Sequence, residues 1–314
     1  MDFGITETKA LKNFKDKIGK INHYLITVFV GLEGVYSGAI KQTSSFKTSW
    51  NPQDPKISAL LSRDFVIKAT VAYLVDSIDS YFIEINRAPT PLRENLKKKL
   101  DKAGEKRSVY ERINAVASVF TLDEVNHVMV EFLVNWRNLT VHSLAEVDHP
   151  ETLIELKEKL LINEEIIFKR HRNLTIKKTI SRFEECEKGN KTGPTFKEIS
   201  SFIEASKNFI YEIDNNIVNS IDFKQYCIRI LKKHVEPNKE KFTRNIFSKI
   251  EEKKITKIKQ VLLQNRIFYI NKEGEAKVTK AFSETEILDI YKWGTSKAKE
   301  ELTKNTEETA ETES

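Results

Sequence analysis

The stretch of residues 57–86 carries apolar side chains at the spacing expected for the buried face of a long α-helix. These side chains are Leu60, Leu61, Phe65, Ile67, Val71, Leu74, Val75, Ile78, Tyr81 and Phe82. The whole chain of 314 residues has only 10 glycines and 7 prolines, and Lys, Ile, Asn and Glu dominate it. Few helix breakers and many straight-chain residues favour long helices over short strands, so the fold is predicted to be mainly α.

Residues 1–150 are predicted to form an N-terminal bundle of antiparallel helices. Its helices are placed at residues 8–35, 57–86, 91–103, 108–120 and from the Thr121–Glu124 capping box to Trp136. The last of these is apolar nearly all round. Such a helix either lies in the middle of a bundle or buries a second face against another subunit.

Residues 151–304 are predicted to form a second helical domain, which begins with a long charged helix over residues 151–187. Its one β signal consists of residues 266–271 and 276–280 around a Gly-containing turn, which predicts a β-hairpin at about 266–281. Three short helices before a hairpin are the order of a winged helix. A last helix is placed at 284–302, and the Thr/Glu-rich tail 305–314 is expected to be disordered.

Charge and cysteine content narrow the classes of function. A net charge of +6 and a pI near 9.0 suit a nucleic-acid partner, but they equally suit a Lys-rich protein that is charged for solubility. Two cysteines exclude a disulfide framework and favour a reducing compartment. Neither a signal peptide nor a run long enough to span a bilayer is present, so we expect a cytoplasmic protein without a membrane partner.

The segment Asn135-Trp-Arg-Asn-Leu-Thr-Val-His-Ser143 contains an arginine, Arg137, followed by Asn138 and, five residues on, by His142. A guanidinium presents a planar set of donors that matches phosphate oxygens. An imidazole exchanges protons near neutral pH. Together they provide what cleavage of a phosphodiester needs, which makes Arg137, Asn138 and His142 the catalytic candidates.

The segment resembles the signature of the HEPN superfamily, in which an Arg and a His are separated by four to six residues and a polar residue often follows the Arg. The resemblance covers roughly the first half of the chain. It implies an antiparallel helical bundle, a metal-independent endoribonuclease with an RNA substrate, and a homodimer with a composite site. It further implies a prokaryotic toxin or an anti-phage abortive-infection effector, with an antitoxin or a phage trigger as a further partner. No cofactor and no metal are expected.

Helical geometry leaves the arrangement of the pair open. On a regular helix Arg137 and His142 lie about 140° apart in rotation and about 7.5 Å apart along the axis. Either the helix frays after Thr140 and Val141, or the long Arg side chain reaches around, or a second copy supplies the complementary residue. The resemblance favours the last of these.

Other interpretations of the same residues stand beside this one. Arg137 and His142 are also suited to binding the C-terminal carbonyls and the dipole of the helix. His142, Asp148 and His149 are too few for a metal site. Arg229 and His234 repeat the spacing without the Asn, and we interpret that match as a coincidence.

Carboxylates elsewhere in the bundle admit two interpretations. Asp76, Asp79 and Glu84 on the second predicted helix either approach the Arg–His pair or lie on a solvated surface. His127 and Glu131, one turn apart, are interpreted as a polar strip beside the apolar face.

The predicted second domain opens with a basic stretch that includes Lys169, Arg170, Arg172, Lys177 and Lys178. These residues are candidates for contacts with a nucleic-acid backbone, and a solvated charged face explains them equally well. The main alternative to the nuclease is a non-catalytic, nucleic-acid-binding regulator that uses the winged-helix-like C-terminal region. A helical scaffold that only binds other proteins is a third possibility.

Overall fold

The computed structural model describes residues 2–40, 52–141, 150–189, 193–270 and 278–303. Internal contacts group the chain into two compact units. The sheet unit comprises Met1–Lys12, Phe82–Lys102 and Asp214–Ser314, and the bundle unit comprises Asn13–Tyr81 and Ala103–Ile213.

Helices dominate the described residues, which confirms the mainly α fold class. They are α1 (Lys9–Ser37), α2 (Pro55–Asn86), α3 (Glu94–Glu105), α4 (Val109–Ala117), α5 (Glu124–Val141), α6 (Pro150–Ile162), α7 (Glu164–Arg170), α8 (Ile176–Glu187), α9 (Phe196–Ser220), α10 (Phe223–Val235), α11 (Lys239–Phe247), α12 (Glu251–Gln264), α13 (Leu288–Tyr291) and α14 (Thr295–Thr303). Short 3-10 turns occupy Glu236–Asn238 and Glu284–Ile287. The strands are β1 (Asp2–Ile5), β2 (Phe268–Ile270) and β3 (Lys280–Ser283).

Helix α5 is buried on all sides within the bundle unit, where it packs against α4, α6 and α8. The Trp136 ring lies edge-on to the rings of Phe132, Phe183 and Phe202, with centroids 5.5, 5.6 and 5.9 Å away. Edge-to-face contacts of this kind stabilise a core beyond the area they bury. Of the two explanations for an all-round apolar helix, the structure therefore shows the first, a position in the middle of the bundle.

Side chains close to the helix starts cap the helices, and the cap of α5 differs from the predicted one. Ser108 Oγ accepts a hydrogen bond from the Glu111 amide, as the capping box predicts. At Thr195 the box is complete, because Glu198 N donates to Thr195 Oγ1 and Thr195 N to Glu198 Oε2. Helix α5, however, begins at Glu124, and its first turn is capped by Asp123, whose carboxylate accepts from Asn126 N at 3.0 Å.

The sheet unit has a three-stranded antiparallel sheet among its described residues, in the order β2-β1-β3. Phe3 of β1 lies opposite Tyr269 on one side and Phe282 on the other. Its ring centroid is 4.8 Å from that of Tyr269 and 5.4 Å from that of Phe223. A buried aromatic residue in the central strand thus connects the sheet to the helical core of the unit.

The predicted β-hairpin at 266–281 is wrong in its pairing. Both predicted segments contain strands, but β1 lies between β2 and β3 and is antiparallel to each, so the two run parallel to one another. The predicted turn at 272–275 lies outside the described residues. Because the segment 2–5 is short and includes a glycine, its sequence gives no β signal, and only partners more than 260 positions away make it a strand.

The long charged helix predicted for residues 151–187 is also wrong, because the chain forms α6, α7 and α8 there. Arg172 and Asn173 have positive φ values of 50° and 60°, a left-handed conformation that no helix interior tolerates. Next to them, His171 is buried and ends α7. The break therefore follows from tertiary burial, which helical periodicity alone does not reveal.

The apolar face of α2 is only partly core. Val71, Leu74 and Ile78 are fully buried, as predicted, whereas Leu60, Leu61 and Phe65 are exposed.

The division of the chain after residue 150 stays a prediction about domains. In the structure, α5, which ends before residue 150, and α6, which begins at it, both belong to the bundle unit. The tail 305–314 lies outside the described residues.

Replacing Phe3 tests the role of the central strand. We expect Phe3→Ala to lower the free energy of unfolding by about 3–5 kcal/mol, since the change leaves a cavity between the sheet and its helices. Urea denaturation measures this loss. The matched control is Phe268→Ala in β2, where the side chain is 37% exposed and the expected loss is under about 1 kcal/mol. Equal losses would contradict the central role of β1.

Candidate functional site

The C-terminal end of α5 brings Arg137 and Asn138 to the surface directly after the buried Trp136. Arg137 Nη1 donates to Asn138 Oδ1 at 3.4 Å, and Thr140 Oγ1 donates to the carbonyls of Trp136 and Arg137. The helix continues to Val141, so it does not fray before that residue. His142 lies outside the described residues, as do Asp148 and His149.

Two carboxylates of α2 lie at this end of α5. Arg137 Nη2 is 3.5 Å from Asp76 Oδ1, and one turn further along α2 Asp79 forms an ion pair with Arg112 of α4. Burial raises the pKa of Asp79, and the neighbouring charge of Arg112 opposes that shift. We call these five residues, Asp76, Asp79, Arg112, Arg137 and Asn138, the Arg137 cluster.

The two ion pairs of the cluster differ in exposure. The Asp79 and Arg112 side chains are mostly buried, so this pair joins α2 to α4 and contributes to the fold. The Asp76 side chain is 65% exposed, and an exposed pair of this kind contributes at most about 1 kcal/mol. An incoming anion with better geometry can therefore replace Asp76 on the guanidinium of Arg137.

The basic residues singled out between 169 and 178 are mostly paired with carboxylates of the same unit. Lys169 pairs with Glu165, Arg170 with Asp123, and Lys177 with Glu164, at 2.6, 2.7 and 3.1 Å. Arg172 and Lys178 are exposed. Lys177 and Lys178 also line a shallow depression on α8 with Ser181, Arg182 and Glu185. Their role in binding a nucleic acid stays a prediction.

His127 and Glu131, which the sequence suggested as a polar strip beside the apolar face, are largely buried. Glu131 is only 8% exposed, and its Oε1 lies 3.5 Å from Nε2 of His127, whose ring stacks on Phe209. Burial raises the pKa of Glu131 to about 7, while burial lowers the pKa of His127. The nearest charges on the facing helix α6 are Lys159, which opposes the shift of Glu131, and Glu155, which adds to it.

The shifted carboxyl predicts a pH-dependent stability. Because the pKa of Glu131 is raised from 4.5 to about 7, its stabilising contribution is fully present below pH 4.5 and is lost as the pH rises through 7. The shift corresponds to a free energy on the order of 3 kcal/mol. We expect Glu131→Gln to raise the melting temperature at pH 8 by several degrees and to change it little at pH 5.

Calorimetry at both pH values measures this difference. Glu158→Gln on α6 is the matched control, since that side chain is exposed and its replacement should act alike at both pH values. A Glu131→Gln variant with the same effect at pH 5 and pH 8 would show that the carboxyl does not titrate between them.

The second Arg–His match has a structural explanation for its arginine. Arg229 Nη1 donates to the carbonyls of Leu92 and Thr90, at 2.5 and 3.2 Å, in the loop before α3. Nη2 lies 3.7 Å from Glu94. The guanidinium is therefore engaged by backbone carbonyls of its own unit, which agrees with interpreting this spacing as a coincidence.

Arg229→Ala is expected to lower the free energy of unfolding by about 1.5–3 kcal/mol, because the two carbonyls lose a charged donor. Lys233→Ala, on the same helix, is the control and should cost less, because the ion pair of Lys233 with Glu236 is exposed. Thermal melting of both variants measures the difference. A loss at Arg229 no larger than that at Lys233 would count against its structural role.

Comparison with known proteins gave no match: no protein-family model, no curated protein and no solved structure resembles this chain significantly. Within the described ranges, no helix combines the length and apolar character required to cross a bilayer. Nor do His, Cys, Asp or Glu side chains in the part of the chain that is described form a group of three or more suited to a metal ion.

Proposed function

We propose that this protein is a metal-independent endoribonuclease in which Arg137 binds the scissile phosphate and His142 transfers protons. The observation that carries the proposal is the position of Arg137 and Asn138 at the end of the buried helix α5. There the guanidinium is partly exposed, and its ion-pair partner Asp76 is largely exposed. His142 follows one residue after the described end of α5.

The reaction is a transesterification within the RNA. The 2′-oxygen attacks phosphorus as the bond from phosphorus to the 5′-oxygen breaks, which leaves a 2′,3′-cyclic phosphate and a 5′-hydroxyl. An imidazole accepts the 2′-hydroxyl proton, and an imidazolium donates a proton to the 5′-oxygen. The guanidinium of Arg137 stabilises the negative charge that develops on the phosphate oxygens, and Asn138 orients the phosphate or the imidazole.

A homodimer supplies the two imidazoles most simply. Residues five apart on an ideal helix point about 140° apart, so on this proposal residues from two copies complement each other at a shared phosphate. On this proposal the protein acts as a prokaryotic toxin or an abortive-infection effector, and an antitoxin or a phage trigger controls it. The C-terminal half would select the substrate or sense the trigger.

The alternative, a regulator that binds nucleic acid through a winged helix, has less support. The strands that would form the wing are separated by β1 and are not a hairpin. Three of the five predicted phosphate-binding residues, Lys169, Arg170 and Lys177, already have carboxylate partners. A regulator would bind duplex DNA in a salt-dependent manner without degrading RNA.

Substitution of His142 tests the mechanism. We expect His142→Ala to slow cleavage of a labelled RNA in the presence of a metal chelator by about 10²–10⁴-fold, since proton transfer is lost. Products ending in 2′,3′-cyclic phosphate are expected, and an RNA with 2′-O-methyl groups should resist cleavage.

His234→Ala is the matched control, because His234 has the same spacing from an arginine and no assigned role. It should retain the wild-type rate. Cleavage that is unchanged by His142→Ala would overturn the mechanism, and so would cleavage that requires a metal ion.

The proposed competition between Asp76 and the substrate phosphate for the guanidinium of Arg137 gives a second test. We expect Asp76→Asn to lower KM for RNA severalfold at fixed ionic strength, because the substrate no longer competes with a carboxylate for Arg137. The control is Asp101→Asn on α3, which changes the net charge equally in a pair with Lys97. Equal effects of both variants would indicate that only net charge matters.

A further inference from the structure

Helices α10, α11 and α12 of the sheet unit carry the positive charge of this chain. Residues 223–264 contain twelve Lys or Arg and four Glu, a net charge of +8, which exceeds the +6 of the whole chain. The remaining residues are therefore slightly acidic. Charge that serves only solubility needs no such concentration, whereas a surface that binds a polyanion requires it.

Some of these cations already have partners within the chain. They are Lys224 with Asp289, Lys233 with Glu236, Lys259 with Glu284, and Arg229 and Lys254 with backbone carbonyls. Five exposed or half-buried lysines, in contrast, form no ion pair with any described residue. They are Lys239, Lys241, Lys249, Lys253 and Lys257. A cation without a counterion in its own chain is available to a phosphate group.

Two elements of this basic segment come together at the end of α10. The ring centroid of Phe242 in α11 is 5.8 Å from that of His234 in α10. Burial lowers the pKa of His234, and the charge of Lys257 in α12 lowers it further, so Lys257 also lies close to this imidazole. Lys253 is one turn before Lys257 on the same side of α12. Lys239 likewise shares a side of α11 with Phe242, three residues on.

We call Lys239, Phe242, Lys253 and Lys257 the α11–α12 surface. His234 adds no charge to it, because the lowered pKa keeps the imidazole neutral at pH 7. Phe242 is half-buried and packs in part against the core of the sheet unit, which holds its ring beside the lysines. Aromatic rings stack on unpaired bases, which single-stranded nucleic acids offer and acidic peptides do not.

We propose that the α11–α12 surface binds single-stranded RNA, with its three lysines on phosphates and Phe242 against a base. The choice of RNA as the nucleic acid rests on the proposed function, whereas affinity for a single strand rests only on the side chains of α11 and α12. The surface belongs to the sheet unit and Arg137 to the bundle unit. Binding of the substrate and its cleavage are therefore measurable separately.

Binding of an RNA that cannot be cleaved tests the surface. Fluorescence anisotropy with a labelled single strand carrying 2′-O-methyl groups gives the dissociation constant at several salt concentrations. Three contacts between lysines and phosphates predict that its logarithm rises with that of the salt concentration with a slope of at least about 2. Lys253→Gln combined with Lys257→Gln should lower this slope by about 1.4 and raise the dissociation constant roughly 10-fold at about 50 mM salt.

Lys20→Gln combined with Lys188→Gln is the matched control, because it changes the net charge equally at two exposed lysines of the bundle unit. It should leave the dissociation constant within about twofold of the wild type. Phe242→Leu keeps an apolar side chain on the core but removes the ring. It should weaken binding severalfold without changing the slope. Melting temperatures of all variants show that the fold is retained.

Equal weakening by the two double lysine variants would mean that only net charge matters, and it would overturn the proposal. A poly-glutamate peptide that competes as well as RNA of equal charge would overturn the choice of a nucleic acid. Binding that depends on Lys253 and Lys257 in a protein that cleaves no RNA would leave the surface standing and refute only the nuclease. Cleavage that depends on His142, with a KM unchanged by the lysine variants, would have the opposite meaning.

Discussion

Burial of α5 on all sides determines where the candidate residues Arg137 and Asn138 lie. The helix from Glu124 to Trp136 is enclosed by α4, α6 and α8, and the aromatic side chains around Trp136 leave it little freedom to rotate or slide. As a consequence, the next residues, Arg137 and Asn138, emerge at a fixed place beside α2. Close packing in the core thus provides rigid support for Arg137, as its proposed role in binding a phosphate requires.

Local sequence patterns predicted most helices of the bundle but not their surroundings. The bounds of α1 and α2 follow from periodicity, caps and the lack of breakers, all of which are local properties. Strand β1 and the break at Arg172 and Asn173 depend on contacts with distant residues, which local sequence patterns do not reveal. The exposure of Leu61 and Phe65 has a similar cause, because periodicity identifies an apolar face but not whether this chain covers it.

For the candidate site, the sequence predicted roles for Arg137 and Asn138, which stay predictions, and left their electrostatic partners open. Asp76 was one of three acidic residues considered on α2, and only the packing of α2 against α5 selects it as the partner of Arg137. Glu131 was assigned to a polar strip, although its position within an otherwise apolar helix was a signal of burial. The ion pair of Arg170 was not evident from the sequence, because its acidic partner, Asp123, lies far from it along the chain.

The central position of β1 has a consequence for how the chain acquires its structure. Thr279 donates a hydrogen bond to the carbonyl of Thr6, 273 residues away, and both neighbours of β1 come from the last fifth of the chain. During synthesis, Phe3 and Ile5 therefore emerge from the ribosome long before any strand exists with which they can pair. Contacts of such long range slow folding, and until they form the nascent chain carries the apolar residues of β1 without strand partners.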